Sequence, residues 1–397
     1  MATDDTIAGS IPLRRERATG AVPRRALTQA QWQPLSALGT SAAEWRDLVA
    51  RALEPNVFYD PAFALAAAPV FGTTTGAILV RQNGRLIGLF PGRIERRYGF
   101  VATLKGWTHP YAPLGVPLVD RDAAETAIGA FLDAICADGP CLVLLPMLTR
   151  DGAFAAALSR VLARRGGAAI GFDEHARALL APGEDRAAYL DHAVAHKKRK
   201  ELRRQRRRLA DSGAVELTTA RKPAAVAAAL TDFLALEAGG WKGRSGSAAS
   251  AHPPIRAFME AALAALAADG HARIDRLLQG GRPLAAAITL RSGATSWFWK
   301  IAYDEANGRA SPGVQIALDL TRELLADASV ARVDSCATAD HPMIDHLWRD
   351  RLALADLLIA PNAEALPAFH IARRIERARR AAINMAKRLR GLLRGRS

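Results

Sequence analysis

Three short, largely apolar runs, 272–279, 283–291 and 295–303, are separated by Gly280-Gly281-Arg282 and Ser292-Gly293. Runs of strand length with β-branched and aromatic side chains, reversed at glycines, predict an antiparallel meander. Over 312–324 apolar residues then recur every three or four positions, an amphipathic helix entered through Ser311-Pro312-Gly313. A glycine-bearing turn into a helix start presents unpaired backbone N–H groups and the positive end of the helix dipole, a place to hold a pyrophosphate such as that of coenzyme A. The same three residues also serve as an ordinary helix start, with proline in the first turn.

The hairpin pattern occurs twice. Residues 77–97 read AILVRQNGRLIGLFPGRIERR and residues 273–291 read RIDRLLQGGRPLAAAITLR; Gln82 falls on Gln279 at an offset of 197. Helical stretches precede both, at 42–53 and 59–68 in the first case and at 224–236 and 254–267 in the second. The expected fold is α/β: tandem lobes, each a mixed, largely antiparallel sheet flanked by helices. The expected organisation is a disordered leader over 1–40, a first lobe over 41–182, a second over 183–365 and a basic amphipathic helix over 366–397, with Pro182 and Gly183 in the linker.

Charge sharpens this picture. The chain has 397 residues and a formal charge of +15. Nine bases against Glu201 lie within 196–208, and ten against Glu376 within 371–397, so the rest is close to neutral. The first run fits a helix over 186–211 with a narrow apolar stripe of Leu190, Val194, Leu202 and Leu209. It reads either as a solvated helix or as a contact for a phosphate-bearing ligand. No aromatic residues interleave with the bases, so nucleic acid is not the expected partner. In the second run Ile371, Ile375, Ala378, Ala382, Met385, Leu389 and Leu392 share one face. That face either docks on the protein or lies on an anionic membrane. Three cysteines without a CxxC pair argue for a reducing compartment, against a disulfide scaffold and against structural zinc. No run reaches the ~20 apolar residues of a membrane span. The expected location is the cytoplasm, at most peripheral to the inner face of the membrane.

Five segments in order, HKKRKELRRQRRRLADSG, Phe233 to Glu237 followed by Trp241-Lys242-Gly243, GGRPLAAAITL, KIAYDEANGRASPG and VDSCATADHPMIDHLW, carry a resemblance over 196–348. There the chain resembles the CelD-like branch of the GNAT superfamily, the acyltransferase domain also found beside BioF-type sequences and related in fold to the Fem peptidyltransferases. The first half looks like a degenerate partner lobe, carried by the hairpin offset and by Gly106 to Tyr111. The resemblance implies transfer of an acyl group from acetyl-CoA or another acyl-CoA to a small-molecule or saccharide amine, in cell-envelope or exopolysaccharide building. The usual phosphate loop is represented only by Gly313, and the Fem-type glycine and lysine after the acidic strand end are absent.

Acyl transfer needs positioning, an acceptor for the amine's proton and stabilisation of the oxyanion. Asp334, at a strand end, and Glu237, before the Trp-Lys-Gly segment, are the candidate bases, and Tyr303 the candidate proton donor to the thiolate. Each has a structural alternative: turn capping for the acids, core packing for the tyrosine. Tyr303, Ser311, Gly313, Val314 and Gln315 are expected to hold the coenzyme. Trp241, Lys242, Trp107 and Tyr111 are expected to meet the acceptor, with the basic loop 242–247 as a lid or a disordered stretch. His341 and His346 do not share a helical face and are not read as metal ligands, and no metal is expected. Two rivals remain: a Fem-like transferase using charged tRNA, and a non-catalytic scaffold that binds a membrane or partner through its basic helix.

Overall fold

The computed structural model describes residues 27–394, apart from 100, 138, 140, 182, 184, 185 and 212 and the side chains of 384 and 387–394. Strands β1 (Thr28–Pro34), β2 (Gly76–Gln82), β3 (Arg85–Arg97), β4 (Val101–Gly106), β5 (Leu118–Val119), β6 (Cys141–Thr149) and β7 (Ala168–Leu180) belong to the first half. The second half adds β8 (Val215–Ala220), β9 (Ala272–Gln279), β10 (Arg282–Ser292), β11 (Thr295–Tyr303), β12 (Arg332–Asp334) and β13 (Asp350–Ala360). Helices α1 (Ala42–Arg51), α2 (Pro61–Phe71), α3 (Ala124–Ile135) and α4 (Ala153–Arg165) flank the first half. The second carries α5 (Tyr189–Ala193), α6 (His196–Asp211), α7 (Pro223–Gly239), α8 (Trp241–Arg244), α9 (Pro253–Ala268) and α10 (Pro312–Ala326), and α11 (Leu366–Arg394) follows.

The repeat is structural. Gln82 pairs with Arg85 and Gln279 with Arg282, so the offset of 197 superposes one hairpin on the other. Asn83 and Gly84 have φ of 52° and 83°, Gly280 and Gly281 54° and 82°. Two consecutive left-handed residues define the tight turn whose twist matches antiparallel strands, which is why Asn-Gly and Gly-Gly stand there. In each half a parallel pair follows, β4 with β6 and β11 with β12.

The two halves share one 13-stranded sheet, ordered β1-β2-β3-β4-β6-β13-β7-β12-β11-β10-β9-β8, with β5 alongside β3. Their last strands are exchanged. β13 pairs with β6 of the first half and β7 with β12 of the second, and β7 and β13 pair with each other from Asp350 opposite Leu179 to Ala360 opposite Ala168. The 182/183 linker therefore follows a strand already embedded in the other half. Between the halves Phe58, Phe63, Phe258, Trp297 and Trp299 pack edge to face.

Three expectations are corrected. Residues 28–40, assigned to a disordered leader, form β1 at the sheet edge and most of a 3-10 turn (Leu35–Ser41) that buries Leu35 and Leu38; residues 1–26 lie outside the described part. The helix over 186–211 is two, because Val194 adopts an extended backbone (φ −111°, ψ 120°) and turns its side chain into the core. Cys136 and Cys141, read as unpaired, form a disulfide across the turn from α3 to β6, while Cys336 is free. Their spacing resembles no metal or redox motif, and only the turn brings them together.

Candidate active site

Strand β11 builds the site. Its parallel pairing with β12 covers Thr295 to Trp297 and stops there, whereas β11 runs on to Tyr303 with β10 on its other side. The edge of β11 past Trp297 thus opens beside the segment following β12, which starts Ser335-Cys336. The pairing of β10 and β11 steps from Ile288 opposite Lys300 to Thr289 opposite Phe298, leaving Trp299 as the extra residue of a β-bulge. A bulge turns neighbouring side chains to the same face. Trp299 and Lys300 accordingly both meet Tyr111 of the first half: the rings are 6.1 Å apart, the Lys300 Nζ stands 3.9 Å from the Tyr111 ring centre, and Trp299 Nε1 donates to the Tyr111 carbonyl at 2.8 Å.

Lys300 is half-buried in this aromatic wall. Loss of water pushes its ammonium pKa down to about 8, the Lys242 charge adds to the shift, and Glu237 opposes it. Burial and the Glu237 charge push the Tyr111 hydroxyl up to about 12. His109 stacks on Phe71 at 4.2 Å, its Nε2 buried without a partner, and burial with the Lys300 charge pushes it down to about 3. A neutral imidazole beside a half-buried cation is the outcome.

The α7–α8 corner supplies the second wall. Gly243 is required there, since a Cβ would stand 1.8 Å from the Ala238 carbonyl oxygen. Glu237, 5% exposed, accepts from Lys242 Nζ at 2.6 Å and from the Ala249 N–H at 2.8 Å. The 242–247 loop is ordered: Ser245 and Ser247 donate to the Lys242 carbonyl, and Glu305 accepts from the Trp241 N–H at 2.8 Å and from Arg244 at 2.6 Å. Glu237, Trp241, Lys242, Tyr303 and Glu305 line one small cavity of about 30 Å³ with the end of β11.

The other predicted residues lie differently. Tyr303 spreads over the start of α10, where a Cβ on Gly313 would stand 2.8 Å from its ring. Ser311 is the left-handed residue before the helix (φ 53°), Val314 is half-buried, and Gln315 is buried with its amide donating to the Leu202 carbonyl of α6 at 2.9 Å. Between α6 and α10 a cavity of about 720 Å³ is lined by Arg199, Arg203, Arg206 and Arg322 over Leu202 and Leu318. Asp334 is 2% exposed and engaged twice, pairing with the fully buried Arg177 of β7 and accepting the Cys336 N–H at 3.0 Å. Arg177 also reaches the Pro113 carbonyl at 2.9 Å, tying the exchanged strand to both halves. Trp107 is buried, stacked on Tyr59 and donating to the Phe71 carbonyl at 2.9 Å; it backs the site rather than lining it. Sequence reasoning missed Lys300, His109 and Arg177. Among the described residues no three His, Cys, Asp or Glu side chains gather as a metal site.

With this geometry in view, residues 196–341 match the family model of the acetyltransferase (GNAT) domain. Over that stretch the second half is similar to the GNAT superfamily, an acyltransferase fold whose members use acyl-CoA. No curated protein matches the chain. Solved structures similar to it include FemX (12% identity, TM-score 0.53), covering 83% of this chain and 98% of that one. A conserved protein of unknown function from Bacteroides thetaiotaomicron (11%, 0.51) covers 80% and 96%. A domain assigned to a lysylphosphatidylglycerol synthetase of Agrobacterium fabrum (12%, 0.53) covers 85% and 96%. At these identities the likeness is one of fold.

Proposed function

We propose that the chain transfers an acyl group from an acyl-CoA thioester to an amine held between the two halves, with Lys300 at the reacting centre. The observation that carries this reading is the bulged, unpaired end of β11. Its open edge offers backbone groups to an extended thioester arm, and the bulge presents a cation beside that edge. With a pKa of about 8, Lys300 is mostly charged at neutral pH, suited to stabilising a developing oxyanion in a site poor in water. The acceptor nitrogen attacks the thioester carbonyl carbon; the C–N bond forms and the C–S bond breaks. Glu237, oriented by Lys242, takes the proton from the ammonium. Tyr303, 38% exposed, gives its proton to the departing thiolate and recovers one from solvent. Asp334 is a positioning residue, acting through Arg177 and the Cys336 turn. The CelD-like resemblance supports an acceptor of the cell envelope or an exopolysaccharide.

Hydrogen exchange with and without acetyl-CoA tests the reading. Amides of 298–303 slow on addition, and a ligand at ~100 times its dissociation constant raises stability by about 2.7 kcal/mol. Unchanged exchange there together with no stabilisation overturns it.

A further inference from the structure

Helix α11 turns its most apolar stripe away from the protein. Ile371, Ile375 and Met385 are 56%, 42% and 62% exposed, and Ala378 and Ala382 lie between them on the same side, also exposed. The face that docks carries Phe369, Ala372, Glu376 and Arg380, all buried. Its centre is polar. The Glu376 carboxylate accepts from Arg97 at 3.1 Å, from the Tyr98 hydroxyl at 2.8 Å, from Arg379 at 2.8 Å and from Arg380 at 3.0 Å, and Arg380 also reaches Asp356 at 3.0 Å. These ties fix the rotation of the helix about its axis, and the isoleucines are left in water.

Charge selects what covers them. Residues 371–397 hold ten bases and one acid, and that acid is consumed in the docked face. Arg374 and Arg377, both exposed beside the stripe, have no ion-pair partner among the described residues. A second copy laid on this stripe would bring like charges together. An apolar stripe with a cationic border matches the boundary of an anionic bilayer. We propose that α11 rests on an anionic phospholipid surface, with Ile371, Ile375 and Met385 at the acyl boundary and Arg374 and Arg377 against the headgroups.

The test is co-sedimentation of the full chain with vesicles of equal parts phosphatidylglycerol and phosphatidylcholine, beside vesicles of phosphatidylcholine alone. The expected result is ~10-fold or greater preference for the anionic vesicles, falling as salt rises. Ile371→Glu with Ile375→Glu weakens binding by about 10-fold or more, and Arg374→Glu with Arg377→Glu removes the anionic preference. Both pairs are exposed, so the melting temperature stays with the parent. Equal binding to both vesicles, binding to neither, or a parent dimer that the isoleucine variant converts to monomer overturns the proposal.

Discussion

Lys300 owes its properties to its two neighbours in sequence and space, Trp299 and Tyr111. Replacing it with methionine keeps the volume and removes the charge. If it stabilises the oxyanion, kcat falls by about 10²–10³ while acetyl-CoA binding is retained, which single-turnover kinetics and calorimetry separate. The pH dependence has a definite sign. The folded pKa of about 8 lies below the ordinary 10.5, so the unfolded chain holds the extra proton between these values. The contribution of Lys300 to stability therefore rises as pH rises from about 8 to 10.5 and is flat below. The difference between parent and Lys300→Met in urea melts shows that slope, and rate falls through pH 8 as the ammonium deprotonates. The buried Arg177–Asp334 pair gives the second residue-scale prediction: Asp334→Asn leaves a buried guanidinium short of its counter-charge and costs about 3–5 kcal/mol, measured by chemical unfolding.

The elements were legible where local residue types and spacing determine them. The meander and its turns follow from short β-branched and aromatic runs and from residues that tolerate positive φ, the helix over 312–324 from its three- and four-residue spacing, and the structure has them as β9 to β11 and α10. What escaped were breaks in periodicity. Strict alternation places Lys300 on the face opposite Trp299; the bulge reverses this, and no residue type marks a bulge at Trp299. The split between α5 and α6 depends on Val194 being drawn into the core. The Glu237 and Trp241 cluster was accessible because a helix end and the next turn are neighbours in sequence, whereas Arg177 and Asp334, 157 positions apart, meet only through strand exchange. A test at this scale is Gly243→Ala. The Ala238 carbonyl leaves no space for the methyl, so the α7–α8 corner shifts, the Glu237–Lys242 pair is displaced, and activity falls together with a Tm drop of several degrees.

At the scale of the whole molecule, neither half completes its own sheet. Residues 27–182 expressed alone lack β13 beside β6, and residues 183–397 lack β7 beside β12, leaving long strand edges bare. Each fragment is expected to aggregate, and co-expression to restore a soluble heterodimer detectable by size-exclusion chromatography. The duplication was readable because a turn is a local signal; the exchange was not, because it is a pairing between residues 168–180 and 350–360, far apart in the chain. The same exchange sets a timetable for synthesis. On a ribosome the first half is complete in sequence long before its partner strand exists, so its sheet must wait, edge uncovered, until residue 360 has left the exit tunnel. Nascent chains stalled short of that point should resist protease poorly over 141–180, and those released just beyond it should resist it well, making the final strand the latch that closes both halves at once.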